Sequence, residues 1–186
     1  MDEPNRSCGY NAGRPGVSLQ MNVVLIGYRG TGKSTVGKVL GAKLGRPVVS
    51  TDAEIVLRAG QTVPEIVAQH GWEHFRDLES AVCQDFAARD GLIIDTGGGA
   101  ILRPHNVECL RKTGTVFWLT ASVSTIASRI GRDNQRPSLT GTKSFVEEIE
   151  EVLAVRTPKY QEAADHIVPT DGRSITQIVE AILPCV

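Results

Sequence analysis

Residues 27–34 (Gly-Tyr-Arg-Gly-Thr-Gly-Lys-Ser) constrain the fold of this chain more than any other segment. They have the spacing of a phosphate-binding loop, in which two glycines five positions apart are followed by a lysine and a hydroxyl residue. An apolar run at 23–26 precedes the loop, and apolar residues at helical spacing follow it over 36–44. A strand, a glycine-rich turn and a helix in that order are the context that this motif requires. The sequence therefore predicts a nucleotide-binding α/β fold.

The chemistry of such a loop depends on its backbone. Glycines allow consecutive N–H groups to turn inward around a polyphosphate, and the following helix adds the partial positive charge of its N-terminus. Lys33 is expected to reach the outer phosphates, and the Ser34 hydroxyl is expected to ligate Mg²⁺. The loop residues assigned to nucleotide binding are Gly30, Thr31, Gly32, Lys33, Ser34 and Thr35.

Composition excludes several classes of protein. The chain has 186 residues, of which 41% are hydrophobic and 22% charged, as expected for one globular domain. Its net charge of −1 provides no broad basic field for nucleic acid. No apolar run has the length of a membrane span or the character of a signal peptide core, so we expect a cytoplasmic protein. The four cysteines lack metal-site spacing and are expected to be free thiols: Cys8, Cys83, Cys109 and Cys185.

The first 20 residues differ from the rest of the chain. They are rich in Gly, Pro, Asn, Arg and Ser, show no periodicity, and are expected to form a disordered tail. Met21, just before the first predicted strand, is a candidate initiator. Residues 21–186 are expected to form a single domain, and the expected oligomeric state is a monomer.

Short apolar strands alternate with helices throughout this domain. The predicted strands are 23–26, 47–50, 92–95, 115–119 and 166–169. The predicted helices are 33–44, 53–59, 64–70, 74–89, 105–112, 122–130, 144–160 and 174–183. Two helix starts have capping-box spacing, Thr62 with Glu65 and Ser144 with Glu147. The alternation predicts a three-layer α/β fold with a five-stranded parallel sheet between helices.

A polar stretch at 132–142 interrupts the alternation. It contains arginines, a proline and a glycine, and Arg136 lies near its centre. A loop of this length is either a functional lid or an unstructured connection. In a nucleotide-binding domain we favour a flexible lid.

Polar residues follow the first three predicted strands, at the edge of the sheet where open parallel sheets bind ligands. They are the phosphate-binding loop, residues 50–52 and residues 95–99. Asp52 is either the cap of the next helix or the group that orients an attacking hydroxyl and accepts its proton. The residues alone leave both readings open.

Other candidates have a similar double reading. The three glycines at 97–99 are either a permissive turn or a place where a small ligand approaches bare backbone N–H groups. Arg76 is either a solvated helix residue or a carboxylate ligand, its guanidinium held by Glu79 three residues further on. Arg156 has the same two readings. The four histidines have no metal-site spacing.

Taken together, these motifs resemble the shikimate kinases, small relatives of the nucleoside monophosphate kinases that use ATP to phosphorylate the 3-hydroxyl of shikimate. The resemblance runs from about residue 21 to the C-terminus. It is carried by the loop at 27–35, Thr-Asp at 51–52, Phe-Arg-Asp-Leu-Glu at 75–79, Gly-Gly-Gly at 97–99, Arg-Pro at 136–137 and Arg-Thr-Pro-Lys-Tyr at 156–160.

The resemblance implies roles for individual residues. Asp52 matches the aspartate that contacts the reacting hydroxyl, and Arg76 and Arg156 match the arginines that grip the substrate carboxylate. Arg129 matches the arginine that packs against adenine, and Arg136 matches the lid arginine that reaches the transferring phosphates. The implied catalytic residues are Lys33, Asp52 and Arg136. The implied substrate site is Asp52, Arg76, Gly97, Gly98, Gly99 and Arg156, with Mg²⁺ as cofactor and shikimate and ATP as substrates.

The chain also departs from the family pattern. Ser50 stands where the family usually has an aspartate that orients magnesium-bound water, and Asp95 stands where many members have a small residue. We hypothesise that Asp95 replaces the missing acid and acts on the metal through water. Trp72 replaces a frequent glutamate, and Val67 lies near a usual phenylalanine. Both are expected to reshape the wall of the substrate pocket.

Three alternatives remain at this stage. Another small-molecule kinase of the same fold, such as a gluconate or nucleoside monophosphate kinase, would share the loop. A GTP-dependent switch would explain Asp-Thr-Gly-Gly at 95–98, but the chain has no Asn-Lys-x-Asp motif for guanine. A catalytically inactive nucleotide-binding relative is favoured only by Ser50.

Overall fold

Five short parallel strands form one sheet at the centre of the computed structural model, which describes residues 20–130 and 145–186, apart from the Phe145 side chain. The strands are β1 (Asn22–Ile26), β2 (Val48–Ser50), β3 (Ile93–Asp95), β4 (Gly114–Thr120) and β5 (His166–Pro169). Their order across the sheet is β2-β3-β1-β4-β5. The prediction of a five-stranded parallel sheet is confirmed, with strand bounds within one residue of the predicted ones.

The helices that connect the strands are α1 (Lys33–Leu44), α2 (Thr51–Ala59), α3 (Val63–Ala87), α4 (Pro104–Thr113), α5 (Val123–Ile130), α6 (Phe145–Ala163) and α7 (Ile175–Ile182). Short 3₁₀ turns occupy Ala100–Leu102 and Leu183–Cys185. None of the helices within the described ranges has the length and apolar character to cross a membrane.

The central strand β1 explains the two hydrophobic layers. Its residues are all buried, because successive side chains point to opposite faces of a sheet that helices cover on both sides. Val24 and Ile26 pack with residues of α3 and α4 in one core cluster. Val23 and Leu25 pack with α1 and α7 in the other. The uninterrupted apolar run at 23–26 is therefore the signature of a doubly covered strand.

Helix α3 corresponds to two predicted helices. The sequence predicts helices at 64–70 and 74–89, and the structure has one element with a non-helical residue at Gly71 (φ 81°, ψ 171°). The capping box predicted at its start is present, with Glu65 N–H donating to Thr62 Oγ1 at 3.4 Å and the Glu65 carboxylate accepting from Thr62 N–H at 2.7 Å. The second predicted capping box, Ser144 with Glu147, involves a residue outside the described ranges.

The parallel arrangement decides where a ligand site can form. The loops after β1, β2 and β3 leave the same edge of the sheet, and these strands are adjacent in the order β2-β3-β1. Asp95 at the end of β3 is in register with Ser50 of β2 and Leu25 of β1. The three polar segments predicted to converge are therefore neighbours in space.

Candidate active site

The phosphate-binding loop connects β1 to α1 through backbone conformations that favour glycine. Gly32 is the N-cap of α1 and has a left-handed conformation (φ 95°). A Cβ at Gly27 (φ 143°) would lie 2.5 Å from the carbonyl oxygen of Leu119. The positive φ values and the close approach of β4 explain why glycines occupy these two positions.

Lys33 lies inside this loop rather than in solvent. Its side-chain ammonium donates to the carbonyl oxygens of Gly27 at 2.8 Å and Tyr28 at 3.1 Å, and the residue is only 8% exposed. The Thr31 hydroxyl also donates to the Tyr28 carbonyl, at 2.8 Å. These bonds concentrate positive charge at the N-terminus of α1, where helix geometry already favours anions.

Ser34 and Asp95 meet at the base of the loop. The Ser34 hydroxyl donates to Asp95 Oδ2 at 2.6 Å. Burial raises the pKa of the Asp95 carboxyl, and the bond from Ser34 and the charge of Lys33 oppose this in part. A hydroxyl and a carboxylate are hard oxygen donors of the kind that Mg²⁺ prefers. Within residues 20–130 and 145–186, no three His, Cys, Asp or Glu side chains are grouped to hold a metal. Mg²⁺ commonly takes one or two protein oxygens and completes its shell with phosphate and water.

Asp52 is not the cap of α2, so that reading is wrong. The N-cap is Ser50, whose hydroxyl accepts from Ala53 N–H at 3.4 Å. Asp52 lies in the first helical turn, and its Oδ1 would be 2.6 Å from a Cβ placed on Gly97. The carboxylate is therefore directed toward the turn after β3.

Two of the three glycines after β3 make room for charged side chains. A Cβ on Gly97 would meet Asp52 and Glu79, and one on Gly99 would overlap the Arg76 guanidinium. The expectation of bare N–H groups is wrong for Gly97, because its N–H donates to Thr51 Oγ1 at 2.8 Å. The close approach of these side chains to the backbone is thus the physical reason for glycine here.

Arg76 is held as the sequence predicts. Its Nη1 donates to Glu79 Oε2 at 2.5 Å, and the Glu79 side chain is fully buried. Burial raises the pKa of the Glu79 carboxyl, and Arg76 opposes that shift. The guanidinium also lies 5.4 Å from the Trp72 ring centroid and 5.1 Å from that of Phe75. Arg76 is therefore fixed by an ion pair and by two aromatic rings, with little freedom to reorient.

Arg156 reaches the same turn from α6. Its Nη1 donates to the Gly98 carbonyl oxygen at 3.0 Å, and the Tyr160 hydroxyl donates to the same oxygen at 2.5 Å. Burial raises the pKa of Tyr160 to about 12. Sequence reasoning did not assign a role to Tyr160, although it follows Arg156 by four residues and so lies on the same helix face.

Two cavities open at this edge of the sheet. The first, of about 320 Å³, is lined by Asp52, Arg76, Glu79, Gly98 and Arg156, with Trp72 among the apolar side chains of its wall. The second, of about 980 Å³, is lined by loop residues that include Lys33, Ser34 and Thr35, together with Asp95 and Arg129. A small acidic ligand suits the first cavity, and a nucleotide polyphosphate suits the second.

Some assigned residues have other local roles or lie outside the described ranges. Arg129 donates to the Gly30 carbonyl oxygen and to Thr170 Oγ1, both at 3.1 Å, at the rim of the larger cavity. Its predicted contact with adenine stays a prediction. Arg136, the predicted lid at 132–142 and residues 1–19 of the predicted tail lie outside the described residues.

Comparison with known proteins gives one consistent family. The family model for shikimate kinase matches residues 29–186. The chain is 44% identical over 163 residues to a shikimate kinase of Nitratidesulfovibrio vulgaris, covering 86% of this chain and 92% of the relative. It is 46% identical over 170 residues to shikimate kinase 2 of Photorhabdus laumondii, covering 88% of this chain and 97% of the relative. The solved structure of shikimate kinase from Acinetobacter baumannii in complex with shikimate superposes with a TM-score of 0.84 at 33% identity, covering 89% of this chain and 92% of that one.

Proposed function

The chain belongs to the shikimate kinase family, and we propose that each of its two cavities binds one substrate of that family's reaction. The reaction transfers the γ-phosphoryl group of ATP to the 3-hydroxyl of shikimate, giving shikimate 3-phosphate and ADP. It is a step of the pathway to chorismate and the aromatic amino acids. The smaller cavity takes shikimate, and the larger cavity takes ATP.

The observation that carries this assignment is the junction of the two cavities. Both are lined by Asp52 and Gly98, which lie between the phosphate-binding loop and the paired arginines. A carboxylated alcohol bound at one end of the smaller cavity therefore presents a hydroxyl toward the loop at the other end. This is the arrangement that direct transfer between two substrates requires.

The arginines of the smaller cavity provide recognition of a carboxylate. Arg76 and Arg156 approach the glycine turn from α3 and α6, and a guanidinium can hold a carboxylate with two parallel hydrogen bonds. Glu79 keeps the Arg76 fork in place. The same cavity has apolar walls, which suit the ring of a small substrate.

Asp52 is positioned for the acceptor hydroxyl. In the transfer, a bond forms between the acceptor oxygen and the γ-phosphorus while the bond from that phosphorus to the β,γ-bridging oxygen breaks. The hydroxyl proton passes to Asp52 or to the transferred group, and ADP leaves. Asp52 orients the hydroxyl for in-line attack, and Lys33 with the loop N–H groups stabilises charge on the phosphates. Arg136 and closure of the predicted lid are proposed to complete the site and to exclude water.

Ser34 and Asp95 are the residues that would hold Mg²⁺ with ATP. When bound, the ion would neutralise charge on the β- and γ-phosphates. The Ser34 hydroxyl is the proposed direct ligand, and Asp95 is proposed to act through water. The bond of 2.6 Å between them supports their joint assignment, because it places both oxygens at one point beside the loop.

The remaining proposals concern the setting of the reaction. The proposed active form is a monomer. The cysteines in the described ranges are free thiols, which fits a reducing compartment such as the cytoplasm.

A substrate panel tests the proposed function. ADP formation is measured with ATP, Mg²⁺ and one acceptor at a time: shikimate, gluconate or a nucleoside monophosphate. Of the three acceptors, we expect only shikimate to give rapid ADP formation. It alone combines a small ring with a carboxylate that both arginines can bind. Equal or faster turnover of gluconate or a nucleotide would contradict the proposal.

A pair of variants makes the panel sharper. Arg156→Met is expected to raise the KM for shikimate about tenfold or more, since a hydrogen bond to a charged group is lost. The KM for ATP should stay within about threefold, because Arg156 lines only the smaller cavity. Arg111→Met is the matched control. Arg111 forms an ion pair with Asp165 at 2.7 Å and lines neither cavity.

A further inference from the structure

Arg29 lies at the junction of the two cavities, and the proposed function assigns it no contact with either substrate. The residues that line both cavities are Arg29, Asp52, Val63, Pro64 and Gly98. Arg29 and Asp52 are the two charged residues among them. One carboxylate and one guanidinium group therefore border the space through which a phosphoryl group must pass.

The loop itself brings Arg29 to this point. It is the third residue of the phosphate-binding segment, and its backbone nitrogen would lie 3.6 Å from a Cβ placed on Gly98. Its guanidinium carbon lies 5.7 Å from the centroid of the neighbouring Tyr28 ring, which is buried. Only 19% of the Arg29 side chain is exposed. The guanidinium therefore packs beside the Tyr28 ring and is largely removed from solvent.

Helix α6 contributes to this placement. Glu148 Oε1 lies 3.7 Å from Arg29 Nη2, and the Glu148 side chain is only 1% exposed. Charged groups that are so deeply buried are stable in a protein only when they are paired or hydrogen-bonded. Glu148 therefore restricts where the guanidinium can go.

We propose that Arg29 is a further catalytic residue, whose guanidinium contacts the γ-phosphoryl group as it moves from the larger cavity to the acceptor. The inference rests on the proposed function. Lys33 is bonded to the carbonyls of Gly27 and Tyr28, so its charge stays at the loop. Arg29 lines the junction together with Asp52, so it offers a second cationic side chain beside the space between the two cavities.

The chemistry of the transfer favours an arginine at this point. In a loose, metaphosphate-like transition state, charge is spread over three equatorial oxygens. A planar guanidinium presents several N–H donors at once and matches phosphate oxygens in pairs. Because the side chain is largely buried, the interaction is weakly screened by water. The contact is strongest in the transition state, so its loss should lower kcat more than it raises either KM.

The test compares Arg29→Met with Arg29→Lys and with the control Arg111→Met. In steady-state assays with shikimate and ATP, we expect Arg29→Met to lower kcat by about 10²-fold, as is typical for removal of one electrostatic contact in a transition state. Both KM values should stay within about threefold, and Arg29→Lys should retain an intermediate kcat. Thermal melting should show a larger loss for Arg29→Met than for Arg111→Met, because Glu148 loses a buried partner, so the assays are run at a temperature at which every variant is folded.

A binding measurement separates catalysis from structure. ADP with aluminium fluoride and shikimate mimics the transferring phosphoryl group, and its affinity should fall in Arg29→Met by a factor similar to the loss in kcat. The affinity for ADP alone should be unchanged. A role confined to the fold of the loop would instead weaken both ligands by a similar factor.

Two different failures can be distinguished. If the wild-type chain phosphorylates shikimate and Arg29→Met does so at a similar kcat, the assignment of Arg29 is overturned and the function stands. An effect seen only in a KM or in melting would overturn the assignment as well. If the wild-type chain leaves shikimate unphosphorylated, the proposed function fails and the Arg29 assignment fails with it.

Discussion

Ser50 and Asp95 lie side by side where the chain departs from the family pattern. The two residues are register partners across β2 and β3. Ser50 uses its hydroxyl to cap α2, and Asp95 accepts a hydrogen bond from Ser34. The family pattern has an acid at the end of β2, where this chain has Ser50. The acid of this chain, Asp95, ends the adjacent strand β3, which lies nearer to the phosphate-binding loop. The hypothesis that Asp95 replaces it remains a prediction, now with a geometric basis.

Asp95→Asn tests this hypothesis at the level of one residue. Turnover at limiting Mg²⁺ and the affinity for Mg·ADP should fall about 10- to 100-fold, the range found when groups that orient metal ligands are removed. The double variant Ser50→Asp with Asp95→Ser should recover much of both, because it returns the acid to the adjacent strand. Steady-state assays over a range of Mg²⁺ concentrations and calorimetry provide the measurements.

The single variant Ser50→Asp places two carboxylates side by side and serves as the control for their mutual repulsion. If Asp95→Asn leaves magnesium dependence, Mg·ADP affinity and turnover unchanged, the hypothesis fails.

Helix α3 contributes many of the residues that line the smaller cavity, both at its start and after its kink. The first turn contributes Val63 and Pro64 to the junction of the two cavities. After the kink at Gly71, the chain places Trp72 against Phe75 and Arg76. The first turn is anchored by its cap and by Ile66, which is buried in the core.

Capping therefore provides a prediction for this element. Thr62→Ala should cost about 1 kcal/mol of stability through loss of the cap. It should also raise the KM for shikimate a few fold, because the first turn of α3 borders the junction. Ser174→Ala is the matched control, since Ser174 and Gln177 form the same type of capping box at the start of α7. It should cost similar stability and leave the KM unchanged, as chemical denaturation and steady-state assays would reveal.

If Thr62→Ala loses the expected stability but keeps the wild-type KM for shikimate, the proposed link between this cap and the site is contradicted.

The sequence predicted helices and strands well where neighbouring residues alone determine them. The apolar runs defined the strands, and the weak periodicity around Gly71 correctly predicted a break in the helix. The capping box at Ser174 was missed, although Ser and Gln have the required spacing there. The cap reading of Asp52 was wrong, because the serine two residues earlier already occupies the N-cap.

At the scale of the whole molecule, the site depends on contacts between segments that are distant in sequence. Arg156 and Tyr160 lie about 60 positions from Gly98, yet both donate to its carbonyl oxygen. Arg29 meets Glu148 across about twice that gap, between the loop and α6. No local pattern encodes these approaches, which explains why Arg29 and Tyr160 were not assigned from the sequence. The fold class could be predicted because it follows from the order of the elements alone.

The central claim is that the junction of the two cavities delivers the 3-hydroxyl of shikimate to the γ-phosphoryl group of ATP. Phosphorus–proton correlation NMR on the reaction mixture tests it most directly, because it identifies the ring carbon that bears the phosphate. The account predicts one phosphate ester, with phosphorus coupled to the proton at carbon 3, formed in step with ADP. Phosphate on another hydroxyl, or release of inorganic phosphate with shikimate unchanged, would contradict it.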